Sequence, residues 1–144
     1  MRIAFIAVAA SAALSVAACS SLPSLTIDTG HAISVAASAV TAAANTATAE
    51  ERAGTFAAGS PTARRIKGDI DAASAAVVVA RDLYTAVPAA QLNNDTSRLQ
   101  NTLTAAGVDI TPPAGSDPAT YIAIVSTLTA DVAAAINSAK GKSP

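Results

Sequence analysis

Few residues in this chain have side chains suited to catalysis or metal binding. His31 is the only histidine and Cys19 the only cysteine among 144 residues. A soft-metal site needs several His or Cys ligands, so these two residues cannot form one. The chain also lacks the GxSxG pattern that presents a nucleophilic serine in many hydrolases. We therefore predict a protein that is not an enzyme and uses no metal or cofactor, with His31 on the surface of a first helical turn.

One basic cluster, formed by Arg64, Arg65 and Lys67, could contact an anion. Cations in the first turn of a helix oppose its dipole, at a cost of roughly 0.3–1 kcal/mol. A bound lipid phosphate or cell-wall carboxylate would offset that cost. The alternative is local neutralisation, because Asp69 and Asp71 follow Arg65 and Lys67 by four residues, the spacing of solvated ion pairs on a helix. Both interpretations stay open at this point.

Cys19 follows a segment with the features of a secretory signal. Met1 and Arg2 give a positive start, Ile3 begins an apolar run, and small residues precede the cysteine. The run of about 16 residues is shorter than the roughly 20 that a membrane-spanning helix needs. We therefore predict a signal peptide over residues 1–18.

The order Leu14-Ser15-Val16-Ala17-Ala18-Cys19 resembles the lipobox of bacterial lipoproteins, with Val16 where the family prefers Leu. In that family the cysteine thiol is diacylated, the chain is cut before the cysteine, and the new N-terminus is usually acylated as well. The resemblance, which covers residues 1–19 only, implies that Cys19 is lipidated. Ser, Thr, Pro and Gly dominate residues 20–30 without a helical period, so we predict an acylated N-terminus and flexible tether over residues 19–30. Two or three acyl chains are enough for stable anchoring in a membrane. The alternative for an unpaired cysteine is a free thiol or an intermolecular disulfide.

The resemblance also implies a location in the bacterial cell envelope, with the domain in the periplasm. An Asp after the cysteine is typical of inner-membrane retention in enteric lipoproteins, so Ser20 favours the outer membrane.

The formal net charge is −1, from nine Lys and Arg against ten Asp and Glu. Nucleic-acid-binding proteins carry a clear excess of positive charge, and this chain does not, so we predict no nucleic-acid partner.

Composition and periodicity predict an all-α domain over residues 31–144. Alanine, the best helix former, supplies 39 of 144 residues, and only 3% are aromatic. Apolar residues alternate at spacings of four and three, as on one helical face, in four segments: 29–49, 61–87, 89–106 and 118–139. Pro and Gly separate these segments. We expect an Ala-rich up-and-down bundle of three to four helices behind the signal peptide and tether.

The second segment has the clearest signals. Ser60 is a good N-cap, and Pro61 suits the first helical position. Its predicted buried stripe consists of Ile66, Ile70, Ala73, Val77, Ala80, Tyr84 and Val87. Ala75 lies off the stripe, so we expect it to tolerate a larger side chain.

These features together predict a non-enzymatic, lipid-anchored envelope lipoprotein that acts by contact with another envelope protein or with the cell wall. Small Ala-rich lipoproteins of this kind also occur in prophage regions, which is an analogy only. The alternative is a periplasmic helical carrier that holds an apolar ligand between its helices. Faces lined by alanine could leave a groove for such a ligand or close tightly.

Overall fold

The computed structural model describes residues 28–141. Its four α-helices are α1 Thr29–Arg52, α2 Pro61–Tyr84, α3 Ala89–Ala106 and α4 Pro118–Lys140. No strand occurs within residues 28–141, and the predicted all-α bundle is confirmed, with α1, α2 and α3 in up-and-down order. The predicted signal peptide, Cys19 and most of the predicted tether lie outside the described residues. The first helix begins two residues before the predicted domain boundary at residue 31.

Local sequence signals set the ends of three helices. The Ser60 side chain accepts a hydrogen bond from the Ala63 amide at 3.1 Å, and Asp117 accepts one from the Thr120 amide at 3.0 Å. Both contacts satisfy amides that the first helical turn leaves without carbonyl partners. Gly107 ends α3 with φ of 71°, in the left-handed region that glycine adopts most easily. The predicted starts of α2 and α4 and the predicted end of α3 are confirmed.

The central helix of the bundle is α2. Its backbone closely approaches those of α1, α3 and α4, whereas α3 closely approaches only α2 among the described helices. Gly30, at the start of α1, lies against Tyr84 at the end of α2. Gly68, near the start of α2, lies against Ala106 at the end of α3. Consequently α2 runs antiparallel to both α1 and α3.

The last helix, α4, also runs antiparallel to α2 and starts at the same end of the bundle as α1. Lys140, the final residue of α4, pairs with Glu50 near the end of α1, with 2.5 Å between Nζ and Oε1. The connection over residues 107–117 therefore returns along the length of the bundle. Val108 and Ile110 of this connection are partly buried and pack against the core.

Two clusters of aliphatic side chains form the core. The larger cluster joins all four helices, and its largest fully buried side chains are Leu99, Leu103, Leu128, Val79 and Val125. The smaller cluster lies at the end of the bundle where α2 begins. It contains Ala47, Phe56, Ile66, Val132 and Ile136. Aliphatic packing with few aromatic rings agrees with the composition of the chain.

The predicted stripe of α2 meets α1 at Ile70 and Tyr84. Ala73 and Ala80 are buried, as expected, with 1% and 0% of their surface exposed. Ile70 lines a groove with residues of α1. Other residues of the stripe depart from the predicted burial: Ile70, Val77 and Val87 are only partly buried, and Tyr84, at the end of the helix, is 51% exposed.

The expectation that Ala75 would tolerate a larger side chain rested on its being outside the buried face, and that placement was wrong. Ala75 is 7% exposed and lines a cavity with residues of α3, including Asp95 and Thr102. A single apolar period marks one face of a helix. A helix with neighbours on three sides also buries its other faces. Alanines on those faces do not mark them in the sequence, because alanine is equally common on exposed helical surfaces.

Candidate functional site

The basic cluster projects from the first two turns of α2, and all three of its cations are exposed. An Arg64 guanidinium nitrogen donates a hydrogen bond to the Gly59 carbonyl at 2.5 Å. The Lys67 Nζ lies 2.5 Å from an Asp71 carboxylate oxygen, so this pair is the solvated ion pair that the spacing predicts. Two of the three cations thus already have a protein partner, which weighs against a strong anion site made by the cluster alone.

A groove of about 330 Å³ opens between α1 and α2 beside two of these cations. Its apolar lining consists of Ala44, Ala47, Phe56, Ile66 and Ile70. Arg64, Lys67 and Glu51 supply charge to the same groove, whereas Arg65 does not line it. A ligand with an apolar segment and an anionic end would match this combination of surfaces.

Asp69 is buried, so the prediction of a solvated pair with Arg65 was wrong. Its side chain is 2% exposed, and the nearest Arg65 nitrogen lies 4.0 Å away, beyond hydrogen-bond distance. Within the described residues Asp69 Oδ2 has no hydrogen-bond partner. Burial raises the pKa of Asp69, Arg65 lowers it by less, and Asp131 of α4 raises it further. The spacing of the pair was right, but it carries no information about the helix that covers the acid.

Asp82 is a second buried carboxyl on α2, and sequence reasoning missed it. Its side chain is 2% exposed, and Oδ2 has no hydrogen-bond partner among the described residues. Burial raises the pKa of Asp82, and a hydrogen bond and like charge from Asp95 of α3 raise it further. No signal in the sequence marked it, because Ala75, seven residues earlier on the same helical face, had itself been placed outside the buried face.

A second cavity, of about 300 Å³, lies between α2 and α3, and Asp95 is the member of this acidic pair that lines it. Its polar lining includes Asp71, Ser74, Asp95, Arg98 and Thr102. The charges in this cavity are mixed in sign, so no single ionic ligand is indicated. The cavity borders the contact between α2 and α3.

The other predicted sites add no chemistry within the described residues. His31 is the third residue of α1 and is exposed, as predicted. Residues 28–141 contain no group of three or more His, Cys, Asp or Glu side chains that could hold a metal ion. Cys19, the predicted lipidation site, lies outside this range.

Length and composition alone would allow two of the described helices to cross a membrane. The most apolar windows of α1 and α4 have mean hydropathies of 1.2 and 1.6. Both helices supply core residues to the bundle, including Ile33, Val40, Val125 and Leu128. Packing inside the bundle buries 22% of the α1 window and 39% of the α4 window, so it accounts for part of their apolar character.

Comparison with known proteins identifies no relative from which a function could be transferred. No family model, curated protein or solved structure matches the chain. A function for this chain is therefore inferred from its own residues and their arrangement.

Proposed function

We propose that this chain is a non-enzymatic lipoprotein of the bacterial envelope, anchored through acyl groups on Cys19. The observation that carries the proposal is the lipobox-like order from Leu14 to Cys19 behind a positively charged start and an apolar run. The helical domain beginning at α1 is compatible with it. Residues 20–27, which join Cys19 to that domain, span at most about 30 Å when extended.

The direction of the helices supports action at a distance from the anchored membrane. The start of α1 is the end of the domain closest in sequence to Cys19. The cluster of Arg64, Arg65 and Lys67 lies at the opposite end, because α2 runs antiparallel to α1. A helix of 24 residues is about 36 Å long. This separation favours a periplasmic protein or the cell wall as the partner over the headgroups of the anchoring membrane.

Metabolic labelling with a fatty-acid analogue tests the anchor. The wild-type chain should incorporate the label, and Cys19→Ser should not, because the serine hydroxyl does not replace the thiol in this modification. Ser20→Ala is a matched control that should be labelled like the wild type. Equal labelling of wild type and Cys19→Ser would refute the anchor.

Site-directed photo-crosslinking in intact cells tests the mode of action. A photoreactive residue at Lys67 should capture a specific envelope partner, whereas one at Ser126, on the exposed surface of α4, should not. Capture of the same partners from both positions would show that the basic end of the bundle has no special role.

A carrier for an apolar ligand is the second candidate, and the groove between α1 and α2 favours it. Its lining of alanine, isoleucine and phenylalanine beside Arg64 and Lys67 suits a lipid-like anion. Native mass spectrometry of gently extracted protein should then show a co-purifying lipid. Ala44→Phe, which fills the groove, should remove that lipid, and Ala42→Phe, on the exposed face of α1, should retain it. A lipid retained by both variants would place the ligand elsewhere.

A further inference from the structure

The contact between the end of α2 and the start of α3 brings two acidic side chains together. Asp82 is almost completely buried, and Asp95 of α3 is half-buried. The two carboxyl groups are hydrogen-bond neighbours, and Val78, one turn before Asp82, lines a cavity together with Asp95. Two carboxylates are both hydrogen-bond acceptors, so neither can satisfy the other while both are ionised. Within the described residues neither Asp82 nor Asp95 forms a salt bridge, and Asp82 Oδ2 has no donor. A single shared proton would turn this repulsive contact into a charge-assisted hydrogen bond.

We propose that Asp82 and Asp95 form a proton-controlled latch, which holds the first half of α3 on the bundle when it carries one proton and releases it when that proton is lost. The latch joins two helices and has no other evident structural role. An apolar residue at position 82 would pack against α3 without leaving a buried acceptor unpaired.

The surroundings of Asp82 provide no substitute for the proton. Asp95 of α3 and Arg81 of its own helix are the charged groups that influence the Asp82 carboxyl, and neither α1 nor α4 contributes one. Arg81 is adjacent in sequence and exposed, so on a helix it points to a different side. Arg98 lines the neighbouring cavity with Asp95 but is itself exposed and forms no salt bridge within residues 28–141.

The first half of α3 is the part of the bundle that such a latch can control. The backbone of α3 closely approaches only that of α2 among the described helices. Its fully buried anchors, Leu99 and Leu103, lie in its second half. In the first half Leu92 is only partly buried, and the Pro88 cap provides no side-chain hydrogen bond. Few contacts besides the latch therefore oppose local opening there.

The direction of the pH effect follows from the raised pKa of Asp82. The bundle binds the proton more tightly than the unfolded chain, where an aspartate has a pKa of about 3.9. The stabilisation is fully present below that value and is lost as the pH rises through the pKa of the folded state. Acidification should therefore tighten α3 on the bundle. Release of the first half of α3 at higher pH would enlarge the cavity of about 300 Å³ that Asp95 and Arg98 border.

Hydrogen exchange of the full chain between pH 4 and 8, corrected for the intrinsic pH dependence of exchange, tests the latch. In the wild type, protection of residues 92–98 should fall as the pH rises, by up to about tenfold per pH unit, the limit for one proton. Protection of α4 should not depend on Asp82 or Asp95, so any fall that it shows through the raised pKa of Asp69 beside Asp131 should be the same in the wild type and in the latch variants. In Asp82→Asn the neutral amide can donate to Asp95 at every pH, so the protection of α3 should stay high and lose its pH dependence.

Two further variants keep the test decisive. Asp95→Asn should also remove the pH dependence, and because Asp95 is only half-buried it decides the matter if Asp82→Asn does not fold. Asp71→Asn, an exposed acid on the same helix, should keep the response of the wild type. A pH response that persists in either latch variant, or equal loss of protection in α3 and α4, would overturn the proposal.

Discussion

Enlarging Ala73 is the most direct test of how the helices pack. Ala73 is 1% exposed, belongs to the larger core cluster, and lies on the same helical face as Ile70 and Tyr84, which meet α1. Ala73→Leu adds three carbons. If space were available, burying them would stabilise the fold by about 0.8 kcal/mol each. In a closely packed contact between helices the added volume instead costs about 1–3 kcal/mol, because neighbouring side chains and backbone must move.

The size of the domain converts this cost into a temperature. Unfolding entropy is about 2.1 cal/mol/K per residue, so the 114 residues of 28–141 give about 0.24 kcal/mol/K. A loss of 1 kcal/mol then lowers the thermal midpoint by about 4 °C, and Ala73→Leu should lower it by about 4–12 °C. Far-UV circular dichroism of the full chain during heating measures this midpoint.

The control must be an exposed helical alanine. Ala75 is unsuitable because it is buried against α3, whereas Ala42 is exposed in the middle of α1. Leucine is almost as good a helix former as alanine, so Ala42→Leu should leave the midpoint within a degree or two. An unchanged or higher midpoint for Ala73→Leu would show that the bundle can accept three more carbons at this position, and the contact would then not be closely packed.

Substitutions at three other positions test the ends of the helices. Ser60→Ala removes the N-cap bond to the Ala63 amide and should lower the midpoint by about 4 °C, corresponding to about 1 kcal/mol, while Ser60→Asp should preserve it; equal midpoints for both variants would contradict the cap. Ala86→Gly should raise the midpoint by up to about 4 °C, because Ala86 has φ of 52° and relief of left-handed strain exceeds the entropy cost of glycine. The hydrogen bond from Lys140 holds the pKa of Glu50 below its ordinary value, so this pair stabilises the fold above that value and loses its effect as the pH falls. Glu50→Gln should therefore lower the midpoint at pH 7 and have little effect in strong acid, and an equal shift at both pH values would disprove the pairing.

The features predicted correctly depend on residues close together in sequence. A cap such as Ser60, a proline such as Pro61 and a terminal glycine such as Gly107 act within one helical turn, so their effect can be read without knowing the fold. The alternating four-three spacing likewise belongs to a single segment. The helix type, the helix number and most helix ends followed from these signals. The proposed lipid anchor also depends on one short segment, residues 14–19.

Contacts between segments were decided only by the tertiary structure. Burial of Ala75, Asp69 and Asp82 depends on α3 and α4 covering two further sides of α2, and the return of residues 107–117 along the bundle sets the direction of α4. Sequence periodicity identifies the most apolar face of a helix, whereas burial of a second or third face depends on distant neighbours. Alanine is equally suited to a crowded contact and to an exposed helical surface, so an Ala-rich sequence marks these additional faces weakly. The two buried aspartates became visible as unusual groups only when the helices that cover them were in place.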